Sequence, residues 1–486
     1  MDGKLFIGGK WVDGSGARFE SKDPATGETV WSGNAAIAPD VERAFDAARG
    51  AFADWAERPV AERIEAVKRY QTVLKERAEQ GAELLSRETG KALWETRAEL
   101  GAMAGKVDIS IRAHAERAGE REAAMGFGRA VLRHRPHGVA AVLGPFNFPG
   151  HLPNGHIVPA LLAGDTVVFK PSEETPAAGQ FMAEAFDAAG LPAGVVNVVQ
   201  GARETGQALL DQPIDALMFT GSATAGDIFR RKFADNSHVI LALELGGDNP
   251  LVVWDAGDVE AIASLVVQSA YVTTGQRCSC TRRLIVKAGP EGDAVIDAVA
   301  ALSDRLVIGP WNGAVEPYMG PLISARAAAN ALERANALGG KAVREFRAAD
   351  DLGPAFVRPG LIDMTDAPST PDEEIFAPVL QVFRVNDFDA ALAKANDTAF
   401  GLSAGLISND EALWRKFSAH IRAGVVNWNR PTTGAAGDMP FGGLGRSGNH
   451  RPSAYYAADY CAFPVASFEA TQAKNILGEM KGVRAS

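Results

Sequence analysis

Cysteine is nearly absent, with three in 486 residues. So few cannot form a disulfide framework, which suits a reducing compartment. Long apolar runs are missing too. No stretch approaches the roughly 18 uninterrupted apolar residues of a membrane span. The opening Met1-Asp2-Gly3-Lys4-Leu5-Phe6 has no apolar stretch of signal-peptide length. Nor is there an excess of positive charge: 49 Lys and Arg face 60 Asp and Glu, a net −11. That balance gives no general attraction to nucleic acid or to an anionic membrane. The expectation is a cytoplasmic protein with neither partner. HExxH and paired CxxC patterns are also missing. His134 and His137, like His151 and His156, therefore read as polar loop histidines, and no metal is expected.

What is present is ordinary for a soluble enzyme: 47% apolar and 22% charged residues. At about 150 residues per domain the length suggests roughly three domains or two large ones. Val41, Ala44, Phe45, Ala48, Phe52 and Trp55 recur at helical spacing after the start signal Pro39-Asp40, and Ile64, Val67, Tyr70 and Leu74 repeat the pattern. These stripes read as core faces. Near Gly119 the pattern breaks, and Met125 to Pro136 reads as an extended excursion. Short apolar runs then alternate with helical stretches: Val139–Leu143, Thr166–Phe169, Val195–Val199 and Ala216–Phe219. Buried strands alternating with helices predict a parallel, doubly wound α/β sheet with its ligand at the strand carboxyl ends. A second α/β region is expected from about Leu245-Gly246-Gly247 to beyond residue 420.

Two familiar patterns fail on context. Gly443-Leu444-Gly445-Arg446-Ser447-Gly448 follows Pro440-Phe441-Gly442 rather than a strand and opens no helix, so it is not a dinucleotide loop. Gly401-Leu402-Ser403-Ala404-Gly405 has a helix-like segment before it and a strand-like one after it, the reverse of a hydrolase elbow. Arg230-Arg231-Lys232 and Arg282-Arg283 read as solvated faces or ion pairs. Three other segments carry more. Phe219 to Gly226 reads as a strand ending in a glycine turn, with Ser222 capping a helix whose free N–H groups suit a phosphate. Gly275-Gln276-Arg277-Cys278-Ser279-Cys280 follows a helical run and offers a thiol that nearby positive charge could stabilise as thiolate. Leu243-Glu244-Leu245-Gly246-Gly247 sets a carboxylate at the end of an apolar strand; alone, it is as readily an ion-pair partner as a base. Together, thiol, carboxylate and nucleotide turn suggest covalent redox chemistry.

These segments stand in order with four others: Pro145-Phe146-Asn147-Phe148-Pro149, Lys170-Pro171-Ser172-Glu173, Glu374-Ile375-Phe376 and Pro440-Phe441-Gly442-Gly443. The series resembles the aldehyde dehydrogenase superfamily over nearly the whole chain. Arg133 to Gly138, Gly150 to His156, Gly448 to Pro452 and Tyr455 to Tyr460 resemble a bacterial branch acting on the 5-semialdehyde of succinylated glutamate. The resemblance implies a Rossmann-like cofactor domain, a catalytic α/β domain and a small oligomerisation arm. Its division would be 1–118 with 138–245, then 246–446, then 119–137 with 447–486. Copies of the chain would pair as at least a homodimer.

The resemblance further implies that Cys278 attacks the aldehyde to give a thiohemiacetal, with the Asn147 amide and the Cys278 N–H holding the oxyanion. Hydride loss would leave a thioester that Glu244 hydrolyses through water. Lys170, Glu173, Gly221, Ser222, Gly226, Glu374 and Phe376 would bind the cofactor. A carboxylate at Glu173 repels a 2′-phosphate, so NAD is expected over NADP. Arg430, in the loop from Asn427 to Pro440, and His151 would face the substrate. The family pattern is broken at Ala377, usually glycine, and at Asp438 and Met439, usually more neutral. Two other readings were open at this level: a dehydrogenase for another semialdehyde or an aromatic aldehyde, and a binding protein that kept the fold without the chemistry. Retention of Cys278, Glu244 and Asn147 together speaks against the second.

Overall fold

A computed structural model of the chain describes residues 1–484. Two seven-stranded sheets form its frame. In the first, the strands Ile240–Leu245, Ala216–Gly221, Val139–Leu143, Thr166–Lys170 and Val196–Val198 lie side by side in that order, all parallel. Val139–Leu143 and Thr166–Lys170 are buried along their whole length, as expected of strands covered by helices on both faces. Leu5–Ile7 and Lys10–Val12 close one edge antiparallel. After Val139–Leu143 the chain winds to one side through two strands, then returns to the other through Ala216–Gly221. That reversal opens a crevice at the carboxyl ends of these two strands, the place where such sheets hold ligands.

The second sheet orders Lys341–Arg344, Gly360–Asp363, Val379–Val385, Thr281–Lys287, Asn249–Val253, Ser403–Ile407 and Val425–Trp428. All are parallel except the first edge strand. Helix Phe388–Asn396 precedes strand Ser403–Ile407, so the elbow-like Gly401 to Gly405 stands in the reversed order its sequence predicts.

The predicted helical stripes fall on Ala38–Glu57 and Val60–Glu76, followed by Ala78–Thr89 and Leu93–Arg117. The first begins where the Asp40 carboxylate accepts the Ile37 N–H at 3.0 Å, satisfying a free helix-end donor. The extended excursion is a hairpin, Arg121–Met125 with Gly128–Pro136, extended by Ala462–Glu469. Residues 447–460 do not enter that small sheet. Gly448 to Ser453 run beside Ile240–Leu245, where the Asn449 amide oxygen accepts from Leu243 N and its nitrogen donates to Leu241 O, and the short helix Ala457–Tyr460 packs on Leu93–Arg117 and His151–Ala163. Residues 485 and 486 of the expected C-terminal segment lie outside the described residues. No helix among the described residues is long and apolar enough to cross a membrane.

The N-terminal helices join the first sheet through a large apolar core in which Tyr70 stacks on Phe186, centroids 3.9 Å apart. Phe186→Ala is expected to cost about 3–5 kcal/mol, read as a thermal midpoint several degrees lower. An unchanged midpoint would show that this seam is not part of the cooperative core.

Candidate active site

The crevice of the first sheet faces the second sheet across a cavity of about 700 Å³. Asn147, Lys170, Glu173, Gly221, Ser222 and Glu244 line it from one side, and Cys278, Glu374 and Phe376 from the other. Gly226, Arg430 and His151 are not in its lining.

Helix Val259–Tyr271 ends in a strained turn: Thr273 and Thr274 have φ of +56° and +53°, a region non-glycine residues rarely occupy. Each threonine is pinned, the Thr273 hydroxyl by Glu95 and the Thr274 hydroxyl by Gly320 O at 2.9 Å. Gly275 follows at φ +69°, and a Cβ there would sit 2.3 Å from the Ala377 carbonyl carbon. Only glycine fits. The turn delivers Cys278 to the cavity, while the Asn249 amide holds the carbonyls of Cys278 and Cys280 at 2.7 and 2.8 Å. Cys280 points away and is fully buried, its Sγ 3.8 Å from Val272 O.

The expected stabilised thiolate is not what this environment favours. Burial, then the carboxylates of Glu374 and Glu244, push the Cys278 thiol up to about 12 against the pull of Arg282. In this environment the neutral thiol is the favoured form.

Asn147 is buried and gives one amide N–H to Gln276 O at 2.9 Å, which fixes the side chain and leaves the second N–H for another acceptor. Its backbone carbonyl accepts from Lys91 Nζ at 2.8 Å, and Lys91 is paired with buried Glu99. Glu99 also accepts the N–H groups of Gly150 and His151 at 3.0 and 3.1 Å. Lys91 and Glu99 thus hold the whole Asn147 loop, and nothing in their sequence context marks them as more than helix charges.

Glu244 is 4% exposed. Its Oε1 accepts from Ser453 N at 3.1 Å, while Oε2 is buried without a partner. Burial holds this carboxyl well above its ordinary value, which makes it a strong proton acceptor once ionised.

On the dinucleotide side, Ser222 caps helix Ala223–Lys232 by accepting from Ala225 N at 3.2 Å. Gly226 lies behind the lining for a packing reason: a Cβ there would come 2.5 Å from Leu245 Cδ1, so glycine lets the helix lie close on the strand. Lys170 Nζ donates to Pro171 O and Gly201 O at 3.0 and 2.7 Å and lies 3.8 Å from Glu173. Glu374 pairs with Arg282 at 3.3 Å, and burial pushes it up to about 7. Phe376 meets Phe146 edge-on at 5.8 Å. Arg282 and Arg283, read in sequence as solvated faces or ion pairs, are ion pairs but deeply buried; Arg283 meets Asp248 at 2.9 Å. The Ala377 methyl belongs to the apolar core of the second sheet and is not in the cavity lining. Arg430, Asp438 and Met439 are exposed. A helix N-terminus, a lysine–glutamate pair and a second glutamate around one cavity fit a dinucleotide.

A thiol, an amide donor and a high-pKa carboxylate around one cavity, beside a dinucleotide cradle, suit aldehyde oxidation through a thioester. Residues 11–463 match the aldehyde dehydrogenase family. The chain belongs to that family. An N-succinylglutamate 5-semialdehyde dehydrogenase of Caulobacter sp. (strain K31) is 67% identical over 485 residues, covering 100% of both chains. One from Paraburkholderia xenovorans is 52% identical, covering 96% of this chain and 97% of its own. A Mycobacterium tuberculosis aldehyde dehydrogenase solved with NAD+ is 30% identical with a TM-score of 0.90, covering 98% of this chain and 100% of that one. The NADP-dependent glyceraldehyde-3-phosphate dehydrogenase of Bacillus halodurans, solved with NADP, is 27% identical with a TM-score of 0.87, covering 96% and 99%.

For an aldehyde dehydrogenase with this arrangement, Cys278→Ala is expected to abolish NADH formation and leave NAD binding intact, as titration of protein fluorescence would show. Cys280→Ala should retain most activity. The opposite pattern would move the nucleophile to Cys280.

Proposed function

We propose that this enzyme oxidises N-succinyl-L-glutamate 5-semialdehyde to N-succinyl-L-glutamate with NAD. The full-length identity to the Caulobacter relative carries the choice of substrate. Cys278 Sγ attacks the aldehyde carbon, and the thiol proton passes to water in the cavity as the S–C bond forms. The developing oxyanion accepts from the free N–H of the Asn147 amide and from the Cys278 backbone N–H. Lys170, Glu173, Glu374 and the Ser222 helix would hold NAD, which would take the hydride leaving the thiohemiacetal carbon so that a thioester remains on Cys278. Glu244 then deprotonates the water that cleaves the thioester on Cys278, and the acid leaves. Glu173 in the lining supports NAD over NADP, because its carboxylate would repel a 2′-phosphate.

The domain division proposed is 1–118 with 138–245 for the cofactor, 246–446 for catalysis, and 119–137 with 447–486 as arm and C-terminal segment. The arm sheet exposes Met125, Phe127, Phe463 and Phe468, the last 73% exposed, and such an apolar face suits pairing with a second copy. Three free thiols suit the cytoplasm as the working compartment.

The substrate assignment is tested by NADH formation across a panel of aldehydes: the succinylated semialdehyde should show the highest kcat/KM, and a higher value for an aromatic aldehyde would overturn it. Glu244→Gln should release one equivalent of NADH as a burst and then stall. In the unsubstituted enzyme the hydrolytic step should quicken as pH rises and Glu244 ionises, a dependence the Gln variant lacks. A variant with normal turnover would remove Glu244 from the mechanism. Arg430 is proposed as an outer contact for a substrate carboxylate. An exposed pair contributes about 1 kcal/mol or less, so Arg430→Ala should lower kcat/KM for the succinylated substrate by no more than about fivefold. A larger loss would place it inside a desolvated pair.

A further inference from the structure

Lys106, on helix Leu93–Arg117, is 2% exposed, and its ammonium has no hydrogen-bond partner among the described residues. Burial lowers it to about 8, so it remains largely charged at neutral pH. The buried and half-buried cations nearer the cavity are answered: Lys91 by Glu99, Arg277 by Glu95, Arg282 by Glu374, Arg283 by Asp248, and Lys170 by two carbonyls. An unanswered buried ammonium is costly to keep, and its presence calls for an anion that arrives from outside.

Its surroundings are prepared for one. Ser110 Oγ, one helical turn on, is buried without a partner among the described residues, as are His151 Nδ1 and Asn154 Oδ1 on the helix His151–Ala163 packed against it. Gly155 stands beside the lysine: a Cβ there would lie 3.9 Å from Lys106 Cε, so glycine leaves open the space a side chain would fill. The polar strip adjoins the catalytic cavity. Leu152, next to His151, lines that cavity, and Glu99 on the Lys106 helix anchors the Asn147 loop through Lys91. Ile109 lies under Gly437, where a Cβ would be 3.1 Å from its side chain, so this stretch of helix runs beneath the loop from Asn427 to Pro440.

In the extended semialdehyde about eight bonds separate the aldehyde carbon from the succinyl carboxylate, ~9 Å at backbone-like bond lengths, so the carboxylate lies well beyond the reacting carbon.

We propose that Lys106, with Ser110 and His151, receives the succinyl carboxylate of the substrate and sets the preference for a dicarboxylic semialdehyde. This deepens the substrate reading above and rests on it.

Lys106→Met keeps the length and removes the charge. The ratio of kcat/KM for the succinylated semialdehyde to that for an uncharged aldehyde of similar length should fall at least tenfold, mainly through KM. N-succinylglutamate should raise the thermal midpoint of the unsubstituted protein and fail to raise that of the variant. An unchanged ratio, or a product-induced rise that survives the substitution, overturns the proposal. If Lys106→Met does not fold, Lys106→Gln is read by the same two measurements. Should the unsubstituted enzyme prefer uncharged aldehydes, the substrate reading fails, while stabilisation by N-succinylglutamate still tests the anion site on its own.

Discussion

The two sheets meet through three residues. Strand Ile240–Leu245 ends the first sheet and Asn249–Val253 opens in the second, with Gly246, Gly247 and Asp248 between them. This short tether sets Glu244 relative to Cys278, because Glu244 stands two residues before it and Asn249, directly after it, grips the carbonyls of Cys278 and Cys280. Both glycines leave room for a polar side chain. A Cβ on Gly246 would lie 1.9 Å from Glu374 Oε2, and one on Gly247 would lie 2.4 Å from Asn249 Oδ1. The tether therefore also decides how closely Glu374 can approach the cavity floor.

Around that joint, burial sets the protonation of the reacting groups. Cys278, Glu244 and Glu374 are all shifted toward their neutral forms, so the resting site carries little unbalanced negative charge. Cations are placed to limit this effect where a fixed charge is needed: Arg282 counters the shift of Glu374, and Arg283 that of Asp248. The same low-dielectric surroundings strengthen the donor from Asn147 to an oxyanion, and the Lys91–Glu99 pair keeps that donor from drifting.

Much of this was legible in the chain. The apolar runs at Val139–Leu143 and Thr166–Phe169 can only be strands covered on both faces, and the Ser222 cap announces its own helix. That Cys278, Glu244 and Asn147 share one cavity could be expected, because each sits in a short segment whose glycines and prolines serve one local geometry. Arg282 and Lys106 could not be read in the same way. A charge in an apolar strand or on a helix shows its depth only when the partner element, distant in sequence, covers it. The thiolate expectation failed for a related reason: the neighbouring arginines are visible in sequence, but the burial and the two carboxylates that outweigh them come from folding. Gly448 to Ser453, distant in sequence, run beside the Glu244 strand, where Ser453 N donates to Glu244 Oε1.

The central claim is that the aldehyde passes through a covalent acyl group on Cys278 within a cavity shared by the two sheets. Rapid quenching of a single turnover with succinylglutamate semialdehyde and NAD, followed by mass spectrometry of proteolytic fragments, tests it directly. The account predicts a transient succinylglutamyl mass on the fragment containing Cys278, located on that residue and decaying as free acid appears. A mass on Cys280, or NADH formed at full rate with no covalent species at any time, would contradict it.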